Sequence, residues 1–141
     1  MKPISLCVIA CLTLVGCVAG PGERAASPEE LFRKADANGN GSVSREEFTD
    51  YMVVQVFDRY DRKNQGFVDL GDFVAGGGTP ASFREINKSR SGKITLEEAK
   101  SSKLVRETMV VPFDEADLNG NGSVSLDEFL AYRTRVQSYI R

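Results

Sequence analysis

The chain has no histidine and no tryptophan among its 141 residues. Without histidine it lacks the commonest general base and the commonest transition-metal ligand. Cysteine is nearly as scarce. All three, Cys7, Cys11 and Cys17, stand near the start, at a spacing that makes neither a disulfide framework nor a zinc site. Basic runs are missing too. Lys and Arg total 18 against 20 acidic residues, the net charge is −2, and nothing marks a nucleic-acid face. No Ser-His-Asp set, Cys-His pair or phosphate-cradling glycine loop is present, so the chain does not read as an enzyme.

What is present begins with an export pattern. Residues 4–18 are an apolar stretch preceded by Lys2, which reads as a secretory signal and is short for a membrane span of about 20 residues. It ends Leu14-Val15-Gly16-Cys17, which resembles the bacterial lipobox. That resemblance implies a signal over residues 1–17 and a lipid on Cys17. Ordinary cleavage near Ala19 or Gly20, leaving a secreted protein, is the competing reading. The first is favoured because the four residues directly follow the apolar core. The expected location is therefore the cell envelope, with a membrane anchor at Cys17. Val18, where an Asp would suggest inner-membrane retention, leans toward the outer membrane of a Gram-negative cell. Residues 18–27 are small and polar and read as a tether.

Beyond the tether, apolar residues at 41% and charged residues at 27% suit a folded body with a modest core. Here the heptad NGNGSVS occurs twice, at residues 38–44 and 119–125. Widening the window gives DANGNGSVSREE over 36–47 and DLNGNGSVSLDE over 117–128. Each has Asp first, Asn third and fifth, Gly sixth, Ser seventh and ninth, and Glu twelfth. This spacing resembles the EF-hand calcium loop. Calcium is a hard cation that takes six to eight oxygens, and alternate loop positions can turn oxygens inward around it. In the first loop Asp36, Asn38 and Asn40 would supply side-chain oxygens. Ser42 would give its carbonyl, Ser44 would act through water, and Glu47 would close the shell with both oxygens. Asp117, Asn119, Asn121, Ser123, Ser125 and Glu128 repeat the set. Gly41 and Gly122 stand where the chain must bend sharply.

Two weaker copies lie between. DRKNQGFVDLGD over 61–72 has Lys63 at the third position, Gln65 at the fifth and Asp72 at the twelfth; a relic is the favoured reading, because Lys63 brings a positive charge toward the ion. NKSRSGKITLEE over 87–98 begins with neutral Asn87 and could go either way. A Phe precedes every loop by four positions: Phe32, Phe57, Phe83 and Phe113. Phe48, Phe73 and Phe129 follow three loops at once, and Ala99 follows the other. These read as core, and Val43, Val68, Ile94 and Val124 at the eighth positions as short strand contacts between loops. Repetition of ligands and core together marks internal duplication.

The chain is thus similar to the EF-hand superfamily over about residues 28–135, and resembles a small bacterial EF-hand lipoprotein. The fold implied is all-α, made of helix-loop-helix repeats in two halves, 28–76 and 80–135. Gly76-Gly77-Gly78-Thr79-Pro80 is the expected break between them. Only residues 48–60 separate the first two loops, which is short for two helices and a turn. A single shared helix would part those loops, and loop 1 would pair with loop 3 or 4. Ca²⁺ is the expected cofactor, at about 10⁻⁴–10⁻³ M because each intact loop carries only two carboxylates at its ligand positions. Magnesium, which prefers a rigid octahedral shell, should compete poorly. The functional alternative is an envelope interaction module that uses the fold with little dependence on calcium. Met52, Val53, Val54, Val56 and Met109, Val110, Val111 could form its groove, although they read first as core.

Overall fold

A computed structural model describes residues 26–138. The signal, Cys17 and most of the tether lie outside the described residues. The tether's last residue, Ser27, caps helix α1 (Pro28–Ala35): its hydroxyl accepts from the Glu30 N–H at 3.2 Å, and Glu30 Oε2 accepts from the Ser27 N–H at 2.7 Å. This reciprocal bonding satisfies two N–H groups that a helix start otherwise leaves bare. Then follow β1 (Ser42–Ser44), α2 (Arg45–Tyr60), β2 (Phe67–Asp69), α3 (Leu70–Ala75) and α4 (Pro80–Ile86). The chain continues with β3 (Lys93–Thr95), α5 (Leu96–Ser101), α6 (Lys103–Thr108), α7 (Val110–Ala116), β4 (Ser123–Ser125) and α8 (Leu126–Ser138). Pro112 stands in the first turn of α7, where its missing N–H costs nothing.

Helix α2 is one unbroken helix of 16 residues running from loop 1 to loop 2. The ends of such a helix stand about 24 Å apart. Loops 1 and 2 therefore cannot pair with each other, and each finds another partner. β1 pairs antiparallel with β4, with Val43 opposite Val124, and β2 with β3, with Val68 opposite Ile94. All four of these residues are buried.

Two compact units are present, but they follow the strand pairing rather than the order of the sequence. Among the described residues, one comprises 26–51 and 111–138; the other is the continuous stretch 52–110. The expected halves 28–76 and 80–135 are corrected accordingly, because the shared helix α2 separates loops 1 and 2. The outer unit, carrying loops 1 and 4, is built on aromatic edges. Phe48 meets Phe113 at 5.5 Å and Tyr132 at 5.9 Å between ring centres, and Phe129 meets Phe32 and Tyr51. Burial pushes the Tyr51 hydroxyl above the ordinary tyrosine value, and Arg133 beside it offsets part of that rise.

The inner unit, carrying loops 2 and 3, packs Phe73 between Tyr60 and Phe83. The Gly76–Gly78 run lies inside this unit and does not divide the protein. A Cβ on Gly76 would lie 2.2 Å from the Tyr60 ring, and one on Gly78 2.2 Å from the Phe73 ring. The glycines let two aromatic rings lie on bare backbone. Gly76→Ala and Gly78→Ala are each expected to destabilise the inner unit by about 1–3 kcal/mol, the usual cost of overpacking. Urea unfolding checks this; unchanged midpoints would show that the rings swing aside freely. Of the groove candidates, Met52, Val53 and Met109 are core, Val54 and Val56 are half-buried, and Val110 and Val111 are exposed.

Candidate metal centre

Ahead of each loop a buried Phe stands in the last turn of the leading helix, and the first ligand position follows four residues later. The Asp36 N–H donates to the Phe32 carbonyl at 2.8 Å, and Asp117 repeats this to Phe113 at 2.9 Å. The carboxylate of Asp36 then gathers the chain beneath it: Oδ1 accepts from the Asn40 N–H at 3.1 Å and Oδ2 from the Gly41 N–H at 2.9 Å. Gly41 sits at φ +84° and Gly122 at +86°, a left-handed bend that a side chain would strain. Asn38 Oδ1 accepts from the Asn40 N–H at 3.0 Å, and Asn40 Oδ1 from the Ser42 N–H at 2.8 Å. Glu47, in the first turn of α2, reaches back across the loop. Its Oε1 accepts from the Asn38 N–H at 3.0 Å and side-chain amide at 2.6 Å, and its Oε2 from the Ser44 N–H and hydroxyl at 3.0 and 2.8 Å.

The second heptad reproduces this network bond for bond. Asp117 accepts from Asn121 and Gly122, Asn119 from Asn121, Asn121 from Ser123, and Glu128 from Asn119 and Ser125. The Asp and Glu side chains are thus aimed inward by the backbone itself. β1 and β4 hold the two loops side by side, Ser42 opposite Ser125 and Ser44 opposite Ser123.

All the converging donors are oxygens: two carboxylates, two amide carbonyls, a serine hydroxyl and a backbone carbonyl in each loop. Among the described residues, no point gathers three His, Cys, Asp or Glu side chains. A neutral-rich oxygen shell of this kind suits a hard cation and excludes soft-metal chemistry. The EF hand family matches residues 29–53 and 110–131, which are the loops just described with their flanking helices. These two segments are EF hands. Calcium is the ion its donor set fits.

The chain is also 26% identical over 140 residues to the polcalcin Cup a 4 of Hesperocyparis arizonica, covering 75% of this chain and 79% of that one. It is 25% identical over 158 residues to calcium-dependent protein kinase 17 of Arabidopsis thaliana, covering 92% of this chain but 28% of the kinase. The chain therefore spans little more than a quarter of the kinase's length.

The two degenerate EF-hand loops keep the backbone without the ligands. Gly66 and Gly92 both stand at φ +77°, matching Gly41 and Gly122. At the fourth position, Gly39 and Gly120 stand near +70°, and Asn64 at +50° and Arg90 at +58° hold nearly the same conformation despite their side chains. In loop 3, Asn87 Oδ1 accepts from the Ser91 N–H, and Glu98 from the Ser89 and Thr95 N–H groups, but Glu98 is the one carboxylate at a ligand position. In loop 2, Lys63 extends across to Asp69 and Asp72. Asp69, at the ninth position, is a bonding partner that sequence reasoning passed over. The signal for it was an acid at the ninth position facing a lysine at the third.

The closing carboxylates are held below the ordinary glutamate value. For Glu47 the main cause is the Ser44 N–H; for Glu128 it is the Ser125 N–H, with the Ser125 hydroxyl next. A carboxylate whose folded value is depressed adds stability above its unfolded value, and that stability is lost as pH falls through the folded value. With calcium chelated, the melting temperature of the outer unit is therefore expected to fall below about pH 4.5, the ordinary value of the group. Glu47→Gln/Glu128→Gln should flatten that decline. An equally steep decline in the double variant would assign it to other groups.

Proposed function

We propose that the protein binds two calcium ions weakly, one in loop 36–47 and one in loop 117–128, and that the ions stabilise the outer unit. The observation that carries this reading is the matched pair of hydrogen-bond networks that turn Asp36, Glu47, Asp117 and Glu128 into their loops. Asn38, Asn40, Ser42 and Ser44, with Asn119, Asn121, Ser123 and Ser125, complete the two shells. Two carboxylates per shell favour dissociation constants of about 10⁻⁴–10⁻³ M, the range of extracellular modules. The matching relatives, one named for calcium dependence, agree with this reading. A calcium titration by calorimetry on residues 18–141, beside Glu47→Gln/Glu128→Gln, tests it. Two sites lost in the double variant are expected. No heat and no shift in melting up to about 10 mM calcium would overturn it.

The same reading sets the protein in the cell envelope, exported and held by a lipid on Cys17. Its support is the apolar stretch and the Leu14-Val15-Gly16-Cys17 signature. Among the described residues no helix is long and apolar enough to cross a membrane. Mass spectrometry of the mature N-terminus, with Cys17→Ser beside it, tests the anchor. An unmodified terminus at Gly20 or nearby would show a secreted protein instead.

A second reading, an interaction module working without calcium, draws support from the inner unit. A half-open apolar cavity of ≈ 50 Å³ lies there, lined by Val53, Val56, Phe57, Phe73, Ile86 and Val105 among others. Binding of an apolar dye that is unchanged by chelation would favour it.

A further inference from the structure

Loop 2 departs from the calcium pattern in a particular way. Its backbone is that of the intact loops: Asp61 accepts from the Gln65 N–H at 2.9 Å and the Gly66 N–H at 2.6 Å, as Asp36 does from Asn40 and Gly41. Its ligand positions carry three carboxylates, Asp61, Asp69 and Asp72, where loops 1 and 4 carry two. The third position holds Lys63 instead of Asn. In the intact loops the Asn amide at that position donates to the closing carboxylate at 2.6 Å, Asn38 to Glu47 and Asn119 to Glu128. In loop 2 the Lys63 ammonium makes the corresponding bond, to Asp72 at 3.1 Å, and also reaches Asp69 at 3.5 Å.

The substitution is thus a charge for a dipole at one fixed place in the loop. Two carboxylates drawn toward one point, Asp69 and Asp72, repel unless a cation stands between them. Loops 1 and 4 leave that to a dissociable ion. Loop 2 supplies it covalently, from its own third residue. We propose that the Lys63 ammonium stands in for the metal ion in loop 2, so that the inner unit keeps its calcium-loop form at every calcium concentration. The exchange also accounts for Asp72. A closing Asp has a shorter reach than Glu, and the long lysine side chain crosses the remaining gap to meet it. The partner loop across β2–β3, with Glu98 the single carboxylate at its ligand positions, has little charge to neutralise there and draws mainly on backbone N–H groups.

The device makes the protein half responsive. Its outer unit would depend on external calcium, while the inner unit carries its own cation. This goes beyond the assignment of loops 1 and 4, and its test is separable from theirs. Lys63→Asn restores an oxygen and removes the ammonium. Calorimetry of this variant is expected to show one calcium site more than the parent protein, whatever number the parent shows. In chelator, amide hydrogen exchange of strands 67–69 and 93–95 should quicken roughly two- to five-fold, the scale of an exposed ion pair, and calcium should reverse it. The parent's exchange at those strands should be indifferent to calcium. No added site in Lys63→Asn overturns the proposal, because the ammonium then did not stand in a cation's place. A second variant guards against a folding failure of the first. Asn38→Lys/Ser44→Asp moves the arrangement into loop 1. It is expected to bind one ion fewer than the parent while keeping parent-like exchange at strands 42–44 and 123–125 in chelator. Faster exchange there would equally overturn the proposal.

Discussion

Phe48→Ala is expected to lower the stability of the outer unit by about 3–5 kcal/mol, the range for deleting a fully buried aromatic side chain. Phe48 is 0% exposed and stands one residue after the closing Glu47. Its ring lies edge-on to Phe113 from α7 and to Tyr132 from α8, so it ties three helices around loops 1 and 4. Its loss leaves a cavity that those rings cannot close without moving the helices that aim the loops. Urea unfolding reads the change directly. Val74→Ala serves as the comparison: Val74 is an apolar residue of the inner unit that is 44% exposed, and it should cost no more than about 0.5 kcal/mol. A small loss at Phe48 would mean that the outer unit is not organised around this aromatic cluster. Calcium affinity should weaken alongside stability, since Glu47 follows the helix that Phe48 anchors.

Calcium itself should have the second large effect. An ion that binds the folded form alone adds about 2.7 kcal/mol at a hundred times its dissociation constant. Two such sites in one unit would together add about 5 kcal/mol if they act independently. The gain should appear in hydrogen exchange at the β1–β4 strands, where Val43 faces Val124. It should be small at the β2–β3 strands, where Val68 faces Ile94. In Glu47→Gln/Glu128→Gln the gain should vanish, because each closing side chain then offers one neutral oxygen in place of a carboxylate. A uniform gain across both units would show that calcium also binds loops 2 or 3. Phe48→Ala tests the scaffold that aims the ligands, and the calcium gain tests the ligands.

Much of the candidate site was legible before any fold was known, and the reason is local. A calcium loop is a twelve-residue device whose ligand positions, sharp bend and closing acid all lie within one short segment. The Asp36 and Glu47 networks use partners no more than nine residues away. The helix starts were equally readable: Ser27 bonds to Glu30 three positions on. The phenylalanines ahead of each loop are buried as their repetition implied, because a position four residues before a loop lies on the inner face of its leading helix. The reading falls short where a residue's role lies in a side-chain contact that no ligand pattern encodes. The glycine run at 76–78 reads as a divider, yet it serves as a seat for Tyr60 and Phe73. Lys63 reads as an obstacle to an ion, and its bonds to Asp69 and Asp72 give it a constructive part.

The sequence by itself determined that the chain repeats a calcium loop four times, that two copies keep their oxygens, and that each copy brings its own core residue. Those properties are set by spacings within one unit. The tertiary structure decided which loops share a sheet and which residues form each unit. Loop 1 joins loop 4 from the far end of the chain, and loops 2 and 3 form the unit between. The short interval 48–60 hinted at this by leaving no room for a return. The outcome rests on a competition that no single segment contains. Each loop exposes one unsatisfied strand edge and one apolar eighth residue, and all four are chemically alike. One continuous helix, α2, removes the nearest pairing from that competition, and burial of the valines and the isoleucine selects among what remains.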